Sequence, residues 1–521
     1  MADIVLVNPR FETSHWGLEY ALPILHKRAA MPVAGIGLLA ALTPAEHRVS
    51  IVDENVEDLD FERLARADLV GVTGMGVQRF RMREILTELK DRGVPTVVGG
   101  PWATVCEDYF EDLADSVFVG EAELTWPVFL EQWRLGKHQA RYEQDRPTDM
   151  ATVPMPRWDL FKTRHYLFGC LQLSRGCPYQ CEFCDIIVTF GRRPRLKTSA
   201  QMIAEVEALR AHGMKIVFIV DDNLTGDKKA MKALLRDLVV WQERKGYPLI
   251  FVVQASLDFT DDRELFELAV EANIQNVFIG IESPNLESLR EMKKTQNIRA
   301  QPHGVIERLH RIQDAGLAVW GGMMLGFDSD DRSIFAAHRE FITEARILQP
   351  MVGMVSAIPK TPLHDRLSAE GRLDTADRPQ YGTNVIPLKM TREELRDGFL
   401  DLMQDLYRPQ AYFARFEDLY FRDDVVFGPA RIRYWRDHPW SRVKDQSLNL
   451  LRSTYLFFRL MFCVPEAELR AEYRKGLRRL LKVRRDPAMV FGYLLACCMH
   501  YHHWTMARQM AEGEIPVVNT F

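Results

Sequence analysis

The sequence has no apolar run that could cross a membrane. Its longest apolar stretch, AMVFGYLLACCM, is far shorter than the ~20 residues that a spanning helix needs. Its first residues, MADIVLVNPR, lack the charged and apolar regions of a signal peptide and are typical of a buried strand. We therefore expect a cytoplasmic protein with no transmembrane segment.

The sequence also has few cysteines and no excess of basic over acidic residues. The eight cysteines of this 521-residue chain do not form the pattern of a disulfide framework. In a reducing compartment, clustered cysteines more often bind metal or do chemistry. The formal net charge of -5 lacks the basic excess of most nucleic-acid-binding proteins, so no nucleic-acid partner is expected. The sequence also contains no internal repeat and no low-complexity tract.

The remaining composition, 47% hydrophobic and 27% charged, is typical of a globular protein. Over residues 1–136, short β-branched runs alternate with helical patterns. Such runs suit strands buried on both faces and predict a Rossmann-like, doubly wound parallel sheet that binds ligands beyond the carboxyl ends of its strands. A loop at that edge contains Gly99, Gly100 and Thr104, which could admit a flat ligand, although a tight turn explains the glycines almost as well.

Three further regions follow along the chain. A polar, proline-bearing stretch over 137–166 predicts a linker. Strand and helix alternate again over 167–373, and six such units predict a (β/α)6-type partial barrel. From 374 to 521 the strand signals fade, and amphipathic segments predict an α-helical domain. The fold class expected is therefore α/β with a helical C-terminal domain.

The segment LSRGCPYQCEFCDI carries Cys177, Cys181 and Cys184, separated by three and then two residues. Close, uneven spacing in a loop lets thiolates converge on an iron–sulfur cluster, whose irons prefer this soft ligand. Three ligands for four irons leave one iron open, which indicates catalysis. A zinc site or a redox thiol pair is the alternative, but the candidate fourth zinc ligands, His165 and Cys170, lack the usual spacing.

This loop, with Phe183 before its last cysteine, resembles that of the radical S-adenosylmethionine (SAM) superfamily. The segments VDDNLTG, QASLD, GIES and GGMMLGFD fall where that superfamily places its SAM-binding strand ends. VVGGPWAT and VGEAE resemble the cobalamin-binding domain that precedes many such barrels, although the front domain has no D-x-H-x-x-G pattern. The phrase FGRRPRLKT and the helical tail resemble a subgroup that includes hopanoid methylases.

The resemblance implies an enzyme with a [4Fe–4S] cluster on Cys177, Cys181 and Cys184, with SAM and cobalamin as further cofactors. A reduced cluster, supplied by a donor such as flavodoxin or ferredoxin, would cleave SAM. The resulting radical would remove a hydrogen atom from an unactivated position of a small molecule or lipid, and this position would then be methylated. The alternatives are a cobalamin-independent enzyme, including one that transfers a 3-amino-3-carboxypropyl group to a soft acceptor, and a non-catalytic iron–sulfur protein.

The resemblance also implies cofactor contacts for residues at strand ends. Asp221 is expected to pair with the SAM ammonium group, while Asp222 or Asn223 could instead cap the following helix. Glu282 is expected to hold the ribose hydroxyls, unless it is a solvated loop acid. Gln254 could meet the SAM carboxylate or serve as a satisfied polar residue of the barrel. Cofactor contacts are further expected at Phe183 and in the front domain at the residues Gly99, Gly100 and Thr104.

The tail contains the adjacent Cys497 and Cys498, close to His500, His502 and His503. Neighbouring helical positions point about 100° apart, so both thiols cannot easily share one tetrahedral metal. Burial as small apolar residues is one interpretation. A substrate site for a soft, thiophilic acceptor such as a trivalent metalloid is the other.

A basic helical face near the end offers a second pair of alternatives. Such a face is usually solvated, but it could also rest on an anionic lipid surface and make the protein peripheral to a membrane. The basic residues are Arg474, Lys475, Arg478, Arg479, Lys482 and Arg485, and the apolar side carries Leu477, Leu480 and Leu481.

Overall fold

The computed structural model describes residues 1–298, 304–422 and 425–517. Its first sheet has six parallel strands, which lie in the order β2-β1-β3-β4-β5-β6. The elements of this part are β1 (Asp3–Asn8), α1 (Ala34–Leu42), β2 (Arg48–Asp53), α2 (Phe61–Leu64), β3 (Leu69–Thr73), α3 (Arg79–Asp91), β4 (Thr96–Gly99), α4 (Pro101–Val105), β5 (Ser116–Val119), α5 (Thr125–Arg134) and β6 (Arg141–Glu143). The predicted doubly wound parallel sheet is confirmed. Strand β6 lies within the stretch 137–166 that was expected to be a linker, because its residues pair with β5.

The second sheet also has six parallel strands, in the order β14-β13-β12-β11-β10-β7. The elements of this part are β7 (Gly169–Leu171), β8 (Ser174–Arg175), α6 (Ile186–Thr189), β9 (Arg195–Leu196), α7 (Ser199–Ala211), β10 (Ile216–Ile219), α8 (Lys228–Lys245), β11 (Ile250–Ala255), α9 (Arg263–Glu271), β12 (Ile274–Glu282), α10 (Leu286–Glu291), α11 (Thr295–Ile298), α12 (Val305–Asp314), β13 (Ala318–Leu325), α13 (Ile334–Glu344), β14 (Gln349–Met354) and α14 (Pro362–Ala369). Because β7 and β14 are the two edges, the sheet is an open, partial barrel, as predicted.

The last part is helical, as predicted. Its elements are α15 (Arg392–Tyr407), α16 (Pro409–Tyr420), α17 (Pro429–Asp437), α18 (Pro439–Cys463), α19 (Ala467–Val483) and α20 (Pro487–Glu512). Several of these helices begin with a proline, whose fixed φ suits the first helical position. Helix α20 packs against α15, α18 and α19. Residues 518–521 of the predicted helical domain lie outside the described residues.

The segment between β1 and α1 joins the three parts. The ring of His15 contacts the carbonyl oxygen of Val352 at 3.1 Å, and His502 contacts that of Ser14 at 3.0 Å. One continuous apolar core therefore extends from the front sheet through the barrel into the helical part. Within the described ranges, no helix has the length and apolar content needed to span a bilayer.

Candidate active site between the two sheets

A cavity of about 1640 Å³ lies between the carboxyl ends of the two sheets. The front sheet contributes Gly100 and Thr104, which follow β4, and the barrel contributes Asp222 and Gln254, which lie after or at the ends of their strands. A pocket for one drug-sized ligand typically has ~300–1,000 Å³, so this cavity has room for more than one ligand. This cavity lies at the edge of the front sheet where ligands are expected to bind.

The barrel side of the cavity has an aromatic floor. The ring of Trp16 lies 5.8 Å from Phe218, 5.2 Å from Phe278 and 6.2 Å from Trp320, measured between centroids. Phe278 and Trp320 are also register partners on β12 and β13. This floor offers apolar contact surface to a ligand. This aromatic floor was not predicted from the sequence, although aromatic residues within successive candidate strands could have indicated it.

Cys177, Cys181 and Cys184 lie in the segment between β8 and α6, here called the cluster loop. Cys181 is buried, whereas Cys177 and Cys184 are half-buried. Within the loop, the Cys177 N–H donates to the carbonyl of Gly191 at 3.2 Å. The preceding Gly176 has φ +94°, and a Cβ there would lie 2.7 Å from the carbonyl oxygen of Arg193, so only glycine fits this turn.

Two amide side chains point their N–H groups at the cysteine sulfurs. Asn223 Nδ2 lies 3.9 Å from Cys177 Sγ, and Gln296 Nε2 lies 3.7 Å from Cys181 Sγ. Hydrogen bonds to ligating thiolates stabilise their negative charge and tune the potential of a cluster. The surroundings therefore fit an anionic, thiolate-ligated group. Gln296 was not identified from the sequence.

The described ranges contain no group of three His, Cys, Asp or Glu side chains arranged to hold a single metal ion. A [4Fe–4S] cluster does not require such convergence, because each thiolate binds a different iron. Burial raises the pKa of the Cys177 and Cys184 thiols, so their thiolate forms depend on a cationic partner such as iron.

A buried ion pair lies beside the cluster loop. Lys294 Nζ is 2.5 Å from a carboxylate oxygen of Glu282 and 5.8 Å from the ring centroid of Phe183. Burial alone lowers the pKa of Lys294, but Glu282 and the thiols of Cys181 and Cys184 raise it above its ordinary value. Lys294 is thus a fixed cation next to the cluster loop. Lys294 was not predicted from the sequence, although it follows the GIES segment closely.

Glu282, the expected ribose ligand, is buried and held by Lys294. Its φ of +67° is in the left-handed region, where a non-glycine residue is strained. The register between β12 and β13 shifts at this point. The strained backbone turns the carboxylate toward Lys294, so its role toward ribose stays a prediction.

Asp221 and Asp222 face different surroundings. Asp221 accepts hydrogen bonds from the backbone N–H groups of Leu173 and Ser174 at 2.6 and 2.9 Å, and from the Ser174 hydroxyl at 2.8 Å. Burial raises its pKa to about 6. Asp222 lines the cavity and accepts from the Gly176 N–H at 2.6 Å, and burial raises its pKa to about 7. Asp221 thus holds the chain between β7 and β8, whereas Asp222 is the one of the two that lines the cavity, and the SAM contact of Asp221 stays a prediction.

The capping alternative for these residues does not hold. Helix α8 begins at Lys228, and its cap is Asp227, whose carboxylate accepts from the Ala230 N–H at 3.0 Å. Asn223 instead donates to Ser256 Oγ at 3.1 Å as well as to the sulfur of Cys177. Neither Asp222 nor Asn223 is therefore needed to start the helix.

The front-domain loop is shaped by close contacts within the protein. Gly100 has φ +94°, and a Cβ there would lie 2.3 Å from Thr73 Oγ1. Thr104 Oγ1 donates to the carbonyl of Gly100 at 2.9 Å and accepts from the Gly120 N–H at 2.9 Å. A Cβ at Gly99 would lie 3.2 Å from that of Phe118. The glycines permit a tight turn, which was the alternative to a ligand contact. This turn presents Gly100 and Thr104 to the cavity.

Two acidic residues of the VGEAE segment bind arginines next to the cluster loop. Arg175 Nη1 lies 2.7 Å from carboxylate oxygens of both Glu121 and Glu123, and Arg195 Nη1 lies 2.9 Å from Glu121. All four side chains are largely buried. The front domain is thereby fixed to the strand that precedes Cys177. This link was not predicted.

Cys497 and Cys498 are fully buried within the helical part and are not among the cavity-lining residues. Burial raises the pKa of both thiols well above the ordinary value. It also lowers the pKa of His500 and His503, to about 3 and about 4, so these imidazoles are neutral and cannot promote thiolate formation. This arrangement corresponds to packing and does not provide a substrate site.

Three family models match the chain. They are described as "B12 binding domain" over residues 27–130, "Radical SAM superfamily" over 171–340 and "Domain of unknown function (DUF4070)" over 361–515.

Two curated proteins are similar over almost their whole length. An uncharacterized methyltransferase of Synechocystis is 36% identical over 98% of this chain and 93% of its own. The hopanoid C-2 methylase of Rhodopseudomonas palustris is 31% identical over 99% of this chain and 95% of its own. Among solved structures, the radical SAM methyltransferase TsrM of Kitasatospora setae, with cobalamin and a [4Fe–4S] cluster bound, has the same fold. It has a TM-score of 0.58 and 18% identity, and the match covers 77% of this chain and 82% of that one.

Proposed function

The chain belongs to the cobalamin-dependent radical SAM methylases, and from this premise we propose that it methylates an unactivated carbon of a hopanoid-like polycyclic lipid. Its cofactors are a [4Fe–4S] cluster, SAM and cobalamin. The substrate class is supported by the similarity to a hopanoid methylase. The observation in the structure that carries the proposal is the aromatic floor of a large cavity between the two cofactor domains.

We propose that Cys177, Cys181 and Cys184 ligate the cluster. The proposal is supported by their shared loop and by the N–H groups of Asn223 and Gln296, which point at two of the sulfurs. Bound together, the cofactors supply reductive cleavage of SAM, removal of a substrate hydrogen atom and delivery of a methyl group. The protein's own task is to hold the loop in one conformation and to keep water away from the reacting carbon.

The residues around the cluster loop suit the polar groups of SAM. Lys294 is a buried cation that could attract a carboxylate, and Gln254 lines the cavity at the end of β11. Asp222 is a cavity-lining carboxylate suited to an ammonium group. Glu282 fixes Lys294 and thereby its charge. Asp221, whose oxygens already bind Leu173 and Ser174, is assigned a supporting role in this proposal.

Cobalamin is proposed to lie against the front-sheet loops that contain Gly100 and Thr104, which face the barrel across the cavity. The lipid would then lie between this surface and the floor formed by Trp16, Phe218 and Phe278. Such a floor excludes water, which protects a carbon radical from side reactions. Electron supply by flavodoxin or ferredoxin and a cytoplasmic location belong to the same proposal.

The alternatives receive less support. Transfer of a 3-amino-3-carboxypropyl group to a soft acceptor would draw on thiols such as Cys497 and Cys498, which are buried away from the cavity. A non-catalytic iron–sulfur protein would not need a cavity of this size between two cofactor domains. The methylase relatives also disfavour both alternatives.

The test is a product analysis. Anaerobically reconstituted protein is given cobalamin, a reductant, SAM with a deuterated methyl group, and either a hopene-type lipid in detergent or the polar fraction of a cell extract. We expect a lipid product heavier by one labelled methyl group in place of a hydrogen, and no labelled product from the polar fraction. A Cys181→Ala protein is the matched negative control. Cleavage of SAM without a labelled lipid, together with a labelled polar product, would overturn the assignment of the substrate class.

A further inference from the structure

Helix α18 carries a row of large apolar side chains that are left largely open to solvent in the described part of the chain. Each is at least half exposed, and the two terminal ones, Trp440 and Phe462, are 83% and 82% exposed. The members of this row, here called the α18 stripe, are Trp440, Val443, Leu450, Leu451, Tyr455, Phe458 and Phe462. Most are three, four or seven residues apart, so the row follows one side of the helix.

The opposite side of α18 explains its orientation. Asn449, Ser453, Leu456 and Leu460 are buried, and the helix packs on α20. At about 1.5 Å per residue the stripe is roughly 33 Å long. Single exposed apolar residues are ordinary, but a continuous row of this length marks an interaction surface.

The charges of α18 indicate the partner. The exposed cations Arg442, Lys444 and Arg452 lie on the same helix. Its one carboxylate, Asp445, is half-buried and accepts a hydrogen bond from Trp435 Nε1 at 3.1 Å. An apolar row beside cations, rich in Trp, Tyr and Phe, is complementary to an anionic lipid surface with its apolar interior. We propose that the α18 stripe docks the protein on an anionic bilayer, with the helix lying in the interface plane.

A second copy of this chain is a poorer partner. A symmetric pair centred on Leu451 would bring each Arg452 close to its copy, with no exposed carboxylate on α18 to compensate. The charged residues of α18 also exclude insertion across the membrane, in line with the absence of a spanning helix among the described residues. The observations therefore favour a helix that lies on the bilayer.

The sequence offered the basic face of α19 either as a solvated face or as a lipid contact, whereas we place the lipid contact on α18. The apolar side of α19 is used for packing, because Tyr473 and Leu480 are buried and Leu477 is half-buried. On its basic side, Arg479 pairs with Glu417 at 2.5 Å. Helix α19 therefore has no free apolar face of comparable length, whereas α18 does.

The stripe also adjoins the segment that reaches the cavity. Tyr455 contacts His26 edge to face with ring centroids 5.7 Å apart, and Arg459 Nη2 donates to the carbonyl of Pro23 at 2.7 Å. His26 and Pro23 belong to the segment between β1 and α1, which also contains the cavity-lining residues Trp16 and Glu19. A bilayer at α18 would thus deliver a lipid close to the proposed active site. This last step rests on the proposed function, whereas docking rests on the α18 stripe alone.

The test measures flotation of the full-length reconstituted protein with vesicles. The vesicles contain either phosphatidylcholine alone or equal parts of phosphatidylcholine and phosphatidylglycerol. We expect binding to the anionic vesicles and a loss of about tenfold or more in the Leu451→Ser, Phe458→Ser, Phe462→Ser variant, since its apolar contact is removed. The matched control replaces the exposed Leu135, Val240 and Leu388 with serine and should bind like the unaltered protein.

The outcomes separate docking from the proposed function. Failure of the unaltered protein to bind anionic vesicles, or equal binding by the α18 variant, would overturn the docking proposal. A dimer of the unaltered protein that the α18 variant converts to a monomer, without vesicle binding, would overturn it in favour of a second copy. Vesicle binding without lipid methylation would reject only the proposed substrate. SAM cleavage in the absence of vesicles should be equal in all three proteins.

Discussion

Arg175 Nη1 lies 2.7 Å from a carboxylate oxygen of Glu121, and both side chains are buried. Arg175 precedes the cluster loop by two residues, whereas Glu121 follows β5 of the front sheet. The pair therefore fixes the cobalamin domain to the strand that carries the cluster loop. The proposed function places both cofactors at one cavity, and this ion pair links the two domains that line it.

Glu121→Gln should destabilise the protein strongly. The substitution leaves the buried cations Arg175 and Arg195 with less compensating charge, and breaking a buried pair costs about 3–5 kcal/mol. Thermal unfolding of the reconstituted protein measures the effect. The control is Asp159→Asn, which breaks the exposed pair with Arg157 and should cost less than about 1 kcal/mol. Equal effects of the two substitutions would contradict the proposed role of the Glu121 pair.

Alanine at Cys177, Cys181 or Cys184 should abolish the cluster and SAM cleavage. Each removes one of the three thiolates that we propose to hold about four irons. Iron and sulfide analysis, together with 5′-deoxyadenosine formation, measures the outcome. Cys463→Ala, a half-buried cysteine of α18, is the control and should retain both. A Cys181→Ala protein with normal SAM cleavage would refute the cluster assignment.

Lys294→Met should lower SAM cleavage by about tenfold or more, equivalent to ~1.4 kcal/mol in the barrier. The substitution removes the cation beside the cluster loop and leaves Glu282 buried without its partner. Iron content separates a loss of cluster from a loss of SAM binding. The neighbouring Lys293→Met serves as control, because the side chain of Lys293 is mostly exposed and pairs with Glu182. If both variants cleave SAM equally, Lys294 has no special role.

Gly100→Ala should reduce both stability and cobalamin content. A Cβ there would lie 2.3 Å from Thr73 Oγ1, and the φ of +94° adds strain, for a total of about 2–5 kcal/mol. Gly93→Ala is the matched control, since its φ is also positive but its Cβ would meet nothing within 4 Å. That control should cost only ~1–2 kcal/mol. Corrin absorbance and the melting temperature are measured, and similar values for the two variants would contradict the prediction.

Acid should destabilise the protein through His15 and the buried histidines of the helical part. Burial lowers the pKa of His503 to about 4, and the pKa values of His15, His500 and His502 are lowered as well. The unfolded chain, with His pKa values near 6.5, therefore binds more protons between pH 4 and 6.5. The stability contribution is fully present above pH 6.5 and is lost as the pH falls through the folded-state values.

His503→Phe should reduce this pH dependence. The Phe ring can keep the stacking on Tyr407, where ring centroids are now 4.7 Å apart, but it cannot bind a proton. The slope of unfolding free energy against pH should decrease by up to about 1.4 kcal/mol per pH unit below pH 6.5. Urea unfolding at several pH values measures it. An unchanged slope in His503→Phe would contradict the prediction.

The family and the order of the domains can be predicted from the sequence alone. Local patterns carry this information, because a cysteine triad in one loop and the alternation of apolar strands with helices are written in consecutive residues. The strand ends of the barrel and the helical nature of the tail follow from the same periodicities.

The partner of each side chain, by contrast, depends on the tertiary structure. It directs Asp221 to the backbone of Leu173 and Ser174, and it brings Lys294 to Glu282. It buries Cys497 and exposes Phe462, although both lie in similarly apolar helical segments. The physical reason is that burial and ion pairing depend on packing between segments distant in sequence, such as Glu121 and Arg175, which no local pattern records.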